Sequence, residues 1–209
     1  AVAITQPTAI TAAGTSGTIA CYGGTAAVNI TAAGGTSPYT GTGSFVAAAG
    51  TSNYTVTDAN NCSTTVAITV AQPSALTAAG TSGTIACYGG TAAVNITATG
   101  GTSPYTGTGS FVAAAGTLNY TVTDANNCST SVTLTVAQPT ALAATGTAGT
   151  IACYGGTAAV NITATGGTSP YTGTGSFVAA AGTSNYTVTD ANNCSTTVAV
   201  TVAQPTALT

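Results

Sequence analysis

The sequence has no lysine, arginine or histidine, and its only acidic residues are three aspartates in 209 positions. General acid–base and nucleophilic catalysis usually depend on the missing side chains, so we expect a protein that is not an enzyme and has no cofactor. Nucleic acid binding requires lysine and arginine to neutralise phosphates, so we expect no nucleic acid partner. The near absence of charge also removes the electrostatic repulsion between copies, which favours self-association.

Long apolar segments are missing as well. The longest runs, such as residues 45–50, are far shorter than the roughly 20 residues that a membrane helix needs. No basic segment precedes a signal-like run, so we expect any export signal or anchor to lie outside this sequence and this segment to make no membrane contact. Hydrophobic residues nevertheless make up 44% of the chain, which is enough to build a folded core.

The chain repeats itself with a constant step of 66 residues, marked by a Gln-Pro pair that recurs from Gln6-Pro7 to Gln204-Pro205. The first two complete repeats differ at seven of their 66 positions. The sequence therefore predicts part of a longer array. Its predicted boundaries are 1–6 for the end of a preceding repeat, 7–72, 73–138 and 139–204 for three complete repeats, and 205–209 for the start of another.

Within each repeat the hydrophobic residues alternate with a period of two, which is typical of strands. Val28 and Ile30 are predicted to face one way and Asn29 the other, and residues 53–57 and 65–70 alternate in the same manner. Glycine and proline separate these short strands. The pattern predicts an all-β protein made of tandem immunoglobulin-like sandwiches. Successive sandwiches joined through Gln-Pro with almost no linker predict an extended rod.

Six cysteines recur with alternating separations of 41 and 25 residues: Cys21, Cys62, Cys87, Cys128, Cys153 and Cys194. Two cysteines per repeat and no histidine give no four-ligand zinc site, so we expect disulfides and an oxidising compartment. Loop entropy barely distinguishes pairing within a repeat from pairing across a boundary. Pairing within repeats uses all six thiols, whereas linking Cys62 to Cys87 leaves others unpaired. We therefore predict one disulfide inside each repeat.

Each repeat retains one aspartate, in the segment Asp-Ala-Asn-Asn-Cys. An aspartate at the start of a tight turn accepts a hydrogen bond from a backbone N–H two residues on. The sequence therefore predicts that three residues cap turns that present a cysteine: Asp58, Asp124 and Asp190. A calcium site made by Asp58, Asn60 and backbone carbonyls is the alternative. Calcium takes six to eight oxygens and usually several carboxylates, so the turn cap is favoured and no metal is expected.

Asparagine occurs in glycosylation sequons in every repeat. The candidate sites are Asn29, Asn53, Asn61, Asn95, Asn119, Asn127, Asn161, Asn185 and Asn193. The same tripeptides also arise wherever asparagine lies on a threonine-rich strand, so both interpretations remain open. Three tyrosines per repeat are candidates for stacking on sugars, but we expect packing for all three: Tyr22, Tyr39 and Tyr54.

The segments CYG, GGTSPY and VTDANNC, followed by the recurring QP, resemble the SprB-type repeat of Bacteroidota gliding-motility and cell-surface adhesins. Similar segments occur in domains related to the polycystic kidney disease domain. Asn61 stands where the pattern usually has glycine, and residues 41–46 replace a tryptophan-containing segment, with Phe45 as the expected core substitute. The resemblance covers essentially the whole chain. It implies secretion, display at the cell surface and a long stalk.

Together these features predict a non-catalytic, self-associating structural segment of an extracellular filament or adhesin stalk, whose partners are copies of itself or neighbouring repeats. A carbohydrate-binding adhesin module is one alternative, with surface glycans as partners. An ice-binding or amyloid-like matrix protein is the other alternative.

Overall fold

The structure is a computed structural model that describes residues 5–207. The ends of the two predicted partial repeats, residues 1–4 and 208–209, lie outside the described residues. The described part of the chain is all-β and contains no helix, which confirms the predicted class. It accordingly has no helix long and apolar enough to cross a membrane.

Each complete repeat contributes five strands. Those of the first are β1 (Thr11–Ser16), β2 (Thr25–Ala33), β3 (Gly43–Ala48), β4 (Gly50–Thr57) and β5 (Ser63–Val70). Those of the second are β6 (Thr77–Ser82), β7 (Thr91–Thr99), β8 (Gly109–Ala114), β9 (Gly116–Thr123) and β10 (Ser129–Val136). Those of the third are β11 (Ala143–Ala148), β12 (Thr157–Thr165), β13 (Gly175–Ala180), β14 (Gly182–Thr189) and β15 (Ser195–Val202).

The five strands of the first repeat form a three-stranded sheet in the order β1-β2-β3 and a two-stranded sheet of β4 and β5. All of these pairs are antiparallel. An isolated bridge between Thr40 and Thr57 places the segment before β3 beside the end of β4. The other two repeats have the same sheet orders and equivalent bridges.

The core of the first repeat lies between its two sheets. Val28 and Ile30 of β2 face Val56 of β4 and Ile68 and Val70 of β5, and all five side chains are buried. The residues between them in each strand are exposed, so the predicted alternation is confirmed. Each of these aliphatic side chains contributes about 1.5–3 kcal/mol to folding when it is fully buried. The third repeat has an equivalent core.

Phe45, predicted as a core substitute, is not part of this core. It lies in β3 at the edge of the three-stranded sheet, and 36% of its surface is exposed. Its ring lies 5.2 Å from the ring of Tyr54, centroid to centroid. The expectation was wrong because an edge strand leaves one side of a large ring in solvent, even when the other side covers the sandwich.

The described residues divide into two compact units, one of residues 5–79, 96–108 and 120–132, the other of 80–95, 109–119 and 133–207. The first unit contains the whole first repeat and one part of the middle repeat. The second contains the whole third repeat and the remaining part of the middle one. The sequence boundaries at 72/73 and 138/139 remain predictions.

Candidate functional site

Two connections in each repeat carry the sequence features singled out above. The first, here called the Cys loop, joins the first two strands of a repeat and comprises residues 17–24, 83–90 and 149–156 in the three repeats. The second, here called the Asp turn, joins the last two strands and comprises residues 58–62, 124–128 and 190–194.

The Cys loop and the Asp turn of one repeat lie at opposite ends of its sandwich. Thr25, at the start of β2, pairs with Ala48 at the end of β3, and β4 begins at the same end after one residue. The Asp turn follows eight residues later, at the far end of β4. Eight strand residues span about 27 Å.

The predicted pairing of cysteines within repeats is therefore wrong. A disulfide needs Cα atoms within about 7 Å of each other, and the length of β4 keeps Cys21 and Cys62 much further apart. The number of thiols and the loop lengths carry no information on strand direction, which decides the end of the sandwich at which each cysteine lies. Linking Cys62 to Cys87 is also not the only pairing that crosses a boundary between repeats.

Two disulfides are observed, and Cys62 of an Asp turn and Cys153 of a Cys loop take no part in them. Cys21 is bonded to Cys128, and Cys87 is bonded to Cys194, each pair with a Cα–Cα distance of 5.6 Å. Each bond joins the Cys loop of one repeat to the Asp turn of the repeat that follows it. Within the first unit, the chain leaves β5 beside the Cys loop and enters β6 beside the end of β7, where Thr77 and Thr99 share a hydrogen bond of 2.8 Å. The Cys21–Cys128 disulfide and the backbone between β5 and β6 therefore connect the same two ends, the Cys-loop end of the first repeat and the Asp-turn end of the second.

Hydrogen bonds hold each Asp turn in shape from within. The Asp58 Oδ1 accepts the backbone N–H groups of Asn60 and Cys62, each at 2.9 Å, and Oδ2 accepts that of Thr36 at 3.0 Å. The N–H of Asn61 donates to the carbonyl of Asp58, and Asn61 has a φ of 64°. Asparagine tolerates this left-handed conformation better than most residues. Asp124 and Asp190 accept equivalent bonds.

Each aspartate side chain is buried, with 5–6% of its surface exposed. The hydrogen bond from Thr36 is the main cause that lowers the pKa of Asp58, although burial opposes it, and the bonds from Cys62 and Asn60 add to the lowering. At Asp124 and Asp190 burial is the largest single influence and raises the pKa, but three backbone hydrogen bonds together outweigh it. Backbone donors therefore stabilise all three carboxylates.

This geometry bears on the calcium alternative. Both oxygens of Asp58 point at backbone N–H groups rather than at other oxygens. The Asn60 amide donates its Nδ2 to Thr36 Oγ1 at 2.9 Å. No group of three or more metal-ligating side chains occurs in the described chain. These contacts are those of a turn cap.

The asparagine of the Asp turn reaches across to the preceding repeat. Asn126 Nδ2 donates to the carbonyl of Ala20 at 3.1 Å, next to the Cys21–Cys128 bond. Asn192 makes the same contact with Ala86 in the second unit. The Cys loop is in turn fixed to its own repeat, because the Gly23 N–H donates to Gln72 Oε1 at 2.8 Å. Gln72 belongs to the recurring Gln-Pro pair, whose structural role the sequence did not reveal.

An open cleft of about 440 Å³ lies beside the first disulfide. Tyr22 and Cys21 line one side of it and Asn127, Cys128 and Ser129 the other. Tyr22 was expected to pack, but 60% of its surface is exposed, and Tyr88 and Tyr154 are similarly exposed. The expectation fails because Tyr22 lies in a loop outside the strands. Tyr39 is half-buried, and its hydroxyl donates to the carbonyl of Gly34 at 2.6 Å.

All nine asparagines of the candidate sequons are exposed. Asn29 and Asn53 lie on outward positions of β2 and β4, whereas Asn61 lies in the Asp turn. Asn127 lines the cleft beside Cys128. A glycan on an asparagine of the Asp turn, such as Asn127, would therefore lie beside the disulfide between repeats, whereas a glycan on Asn29 or Asn53 would lie on the outer face of a strand.

The disulfides indicate that the protein folds in an oxidising environment outside the cytoplasm. A scan against family models and a search of the curated proteins both found no match to this chain.

Proposed function

We propose that this chain is a structural, non-catalytic segment of a long extracellular filament or adhesin stalk, built from tandem immunoglobulin-like repeats and displayed at a cell surface. The observation that carries the proposal is that each disulfide links consecutive repeats instead of closing one repeat on itself. A bond of this kind crosses the junction between two repeats, which is where a force that pulls along the chain would act.

The sheet orders support the immunoglobulin-like part of the proposal. If β1, β2 and β3 are equated with strands A, B and E, and Thr40, β4 and β5 with strands C, F and G, the observed neighbours are A-B-E and C-F-G. These are the strand neighbours of the two immunoglobulin sheets, with strand D missing. The Gln-Pro connection supports the stiff, extended arrangement proposed for the array, since proline restricts the backbone at the joint.

The disulfides overlap along the sequence, and this limits how far an unfolded chain can be stretched. When both bonds are intact, force applied at Cys21 and Cys194 passes through the Cys21–Cys128 bond, back along the backbone to Cys87, and through the second bond. Only about 41 residues, from Cys87 to Cys128, then separate the two points, a contour of about 150 Å at 3.6 Å per residue. The reduced chain offers about 173 residues between the same points, or about 620 Å.

Single-molecule pulling on the 209-residue chain tests this function. The oxidised chain should stop extending after releasing about a quarter of the length that the reduced chain releases between Cys21 and Cys194. A Cys62→Ser variant is the matched control, because Cys62 takes no part in either bond. Equal extension of oxidised and reduced chains would contradict the proposal that the junctions resist a pulling force. Electron microscopy of the native cell surface then tests whether the filament is displayed there.

A further inference from the structure

The three-stranded sheet of the first repeat ends at β3, and the outer edge of this strand is unpaired. β3 pairs with β2 over residues 43–48, and in the described chain the sheet order β1-β2-β3 places no strand on its other side. The sheets of the second and third repeats end in the same way at β8 and β13. An edge strand leaves a row of backbone N–H and C=O groups available for pairing with another strand.

The repeat itself has no residues that could cover this edge. In the immunoglobulin arrangement strand D lies beside strand E and comes between strands C and E in the sequence. Thr40 is here equated with strand C and β3 with strand E, and only Gly41 and Thr42 lie between them. Two residues are too few to form a strand. The edge of β3 is therefore open because the connection that would supply strand D is too short.

β3 also lacks the features by which proteins usually prevent pairing at an edge, which are charged side chains, proline and bulges. Its sequence is Gly-Ser-Phe-Val-Ala-Ala, and it pairs with β2 without interruption. Val46 of β3 has 77% of its surface exposed, and Val178 of β13 has 76%. A strand that paired with this edge would remove part of that apolar surface from water.

The side chains of β3 alternate between the two faces of its sheet. Phe45 points toward the other sheet of the sandwich, since its ring lies 5.2 Å from that of Tyr54 in β4. Ser44, Val46 and Ala48 therefore lie on the outer face. Residues directly opposite each other in an antiparallel pair share a face, so two β3 strands can pair with Val46 opposite Val46 and Ser44 opposite Ala48. This register is symmetric, so the edge is complementary to itself.

We propose that the outer edge of β3 pairs antiparallel with the β3 edge of a second copy of this chain, with Val46 of the two copies opposite each other. The equivalent strands β8 and β13 have the same sequence and pair in the same way. The inference rests on the proposed function and deepens it, because it names the surface by which neighbouring segments associate.

Charge favours a second copy over a charged partner. Like charges directly opposite each other destabilise a strand pair, and two β3 edges bring none together, because no residue of β3 is charged. For the same reason the edge has no counter-charge to attract an acidic or basic segment. Opposed valines suit this contact, since β-branched side chains pack well on a pleated surface.

The association is tested in the 209-residue chain that carries Cys62→Ser and Cys153→Ser, so that disulfides between the unbonded cysteines of two copies do not form. Val46→Lys, Val112→Lys and Val178→Lys are combined in one variant, here called the edge variant. Each lysine places a charge in an edge strand, which is a common natural means of preventing strand pairing. All three valines are exposed, so the fold should be retained, and thermal unfolding checks this.

The matched control combines Asn29→Lys, Asn95→Lys and Asn161→Lys, on the same outer face but in the central strand of each sheet. Three lysines change the formal net charge of −3 to zero in both variants, so the added charge alone does not explain a difference between them. Sedimentation velocity is measured over a range of concentrations. The parent chain and the control should sediment faster as the concentration rises, whereas the edge variant should remain a monomer.

The register is tested by disulfide trapping in the same serine background. Ser44→Cys and Ala48→Cys are made in separate chains, one chain is labelled with ¹⁵N, and the two are mixed in a glutathione redox buffer. Opposite residues of an antiparallel pair lie about 4.5–5.5 Å apart, within the range of a disulfide. The two Ser44 positions lie about 13 Å apart along the paired strands. Random collision gives mixed and like dimers in equal total amounts, so the proposed register should give a clear excess of mixed dimer.

A parent chain that stays monomeric at every concentration, equal behaviour of the edge variant and the control, or a statistical mixture of trapped dimers would each overturn the inference. None of these results would overturn the structural function, which the pulling experiment tests through the two disulfides of a single chain. Conversely, association through β3 in a chain without resistance to stretching would support the inference and contradict the proposed function.

Discussion

The Asp turns at 58–62 and 124–128 have the same sequence but different surroundings. Both are held by three backbone hydrogen bonds to a buried carboxylate, at 2.9–3.0 Å. Cys128 is bonded to Cys21 of the preceding repeat and is half-buried, whereas Cys62 is exposed and unbonded. Because the turn has the same hydrogen bonds with and without a bonded cysteine, the carboxylate and not the disulfide determines its conformation, and the disulfide links one repeat to the next.

The largest difference between the two turns should appear when their cysteines are removed. Cys128→Ser opens a loop of 107 residues, and the loop-entropy relation gives a loss of about 5 kcal/mol in the free energy of unfolding. Cys62→Ser removes no bond and should change this free energy by less than about 0.5 kcal/mol. Guanidinium titration of the oxidised variants measures both values. A loss of similar size in the two variants would mean that Cys62 is bonded in solution.

How much of this arrangement the sequence could predict depends on the range of the interaction concerned. The alternation of Val28 and Ile30 with polar residues predicts the strands, because burial on one face is a local pattern. The aspartate and the asparagine of DANN likewise indicate a turn, since the hydrogen bonds involved span two to four residues. In both cases the structure depends on residues that are close together in the sequence, so the sequence alone can predict it.

The disulfide partners and the exposure of Tyr22 and Phe45 depend on strand order and on which end of a sandwich each loop occupies. The repeats also carry the same five residues in each Asp turn, DANNC, so the local sequence does not indicate which Asp turn lies beside Cys21. In the fold, Cys21 lies at the end of the sandwich where β4 begins and Cys62 at the end where β4 finishes, and the eight residues of β4 keep the two cysteines apart.

A smaller effect is expected from substituting the glycine that packs on each carboxylate. Gly35 and Gly101 have φ values of 59° and 57°, and a Cβ atom on either would lie 2.6–2.7 Å from Oδ2 of Asp58 or Asp124. The left-handed conformation alone costs an alanine about 1–2 kcal/mol, and the contact adds to this.

Gly35→Ala and Gly101→Ala should therefore lower the free energy of unfolding by about the same amount, about 2 kcal/mol. Gly17→Ala is the control, since its Cβ would meet only an ordinary contact of 3.4 Å. A much smaller loss for Gly101→Ala would show that the disulfide, and not the carboxylate, maintains the linked turn. Urea unfolding of the three variants measures the losses.

The smallest expected effect is that of pH on the free energy of unfolding near neutral pH. The only side chains of this sequence that titrate in the acidic range are its three aspartates. Their folded-state pKa values are lowered, so their contribution to stability is complete above the unfolded value of about 3.9 and is lost as the pH falls through the lower folded value. Thermal unfolding should occur at a constant temperature between about pH 5 and 8 and at decreasing temperatures below about pH 4.

Asp58→Asn and Asp124→Asn should each reduce the number of protons taken up on acid unfolding by one. If the two turns are formed in the same way, the two variants should give the same acid profile, and a steeper dependence left in one of them would show that the disulfide alters the carboxylate.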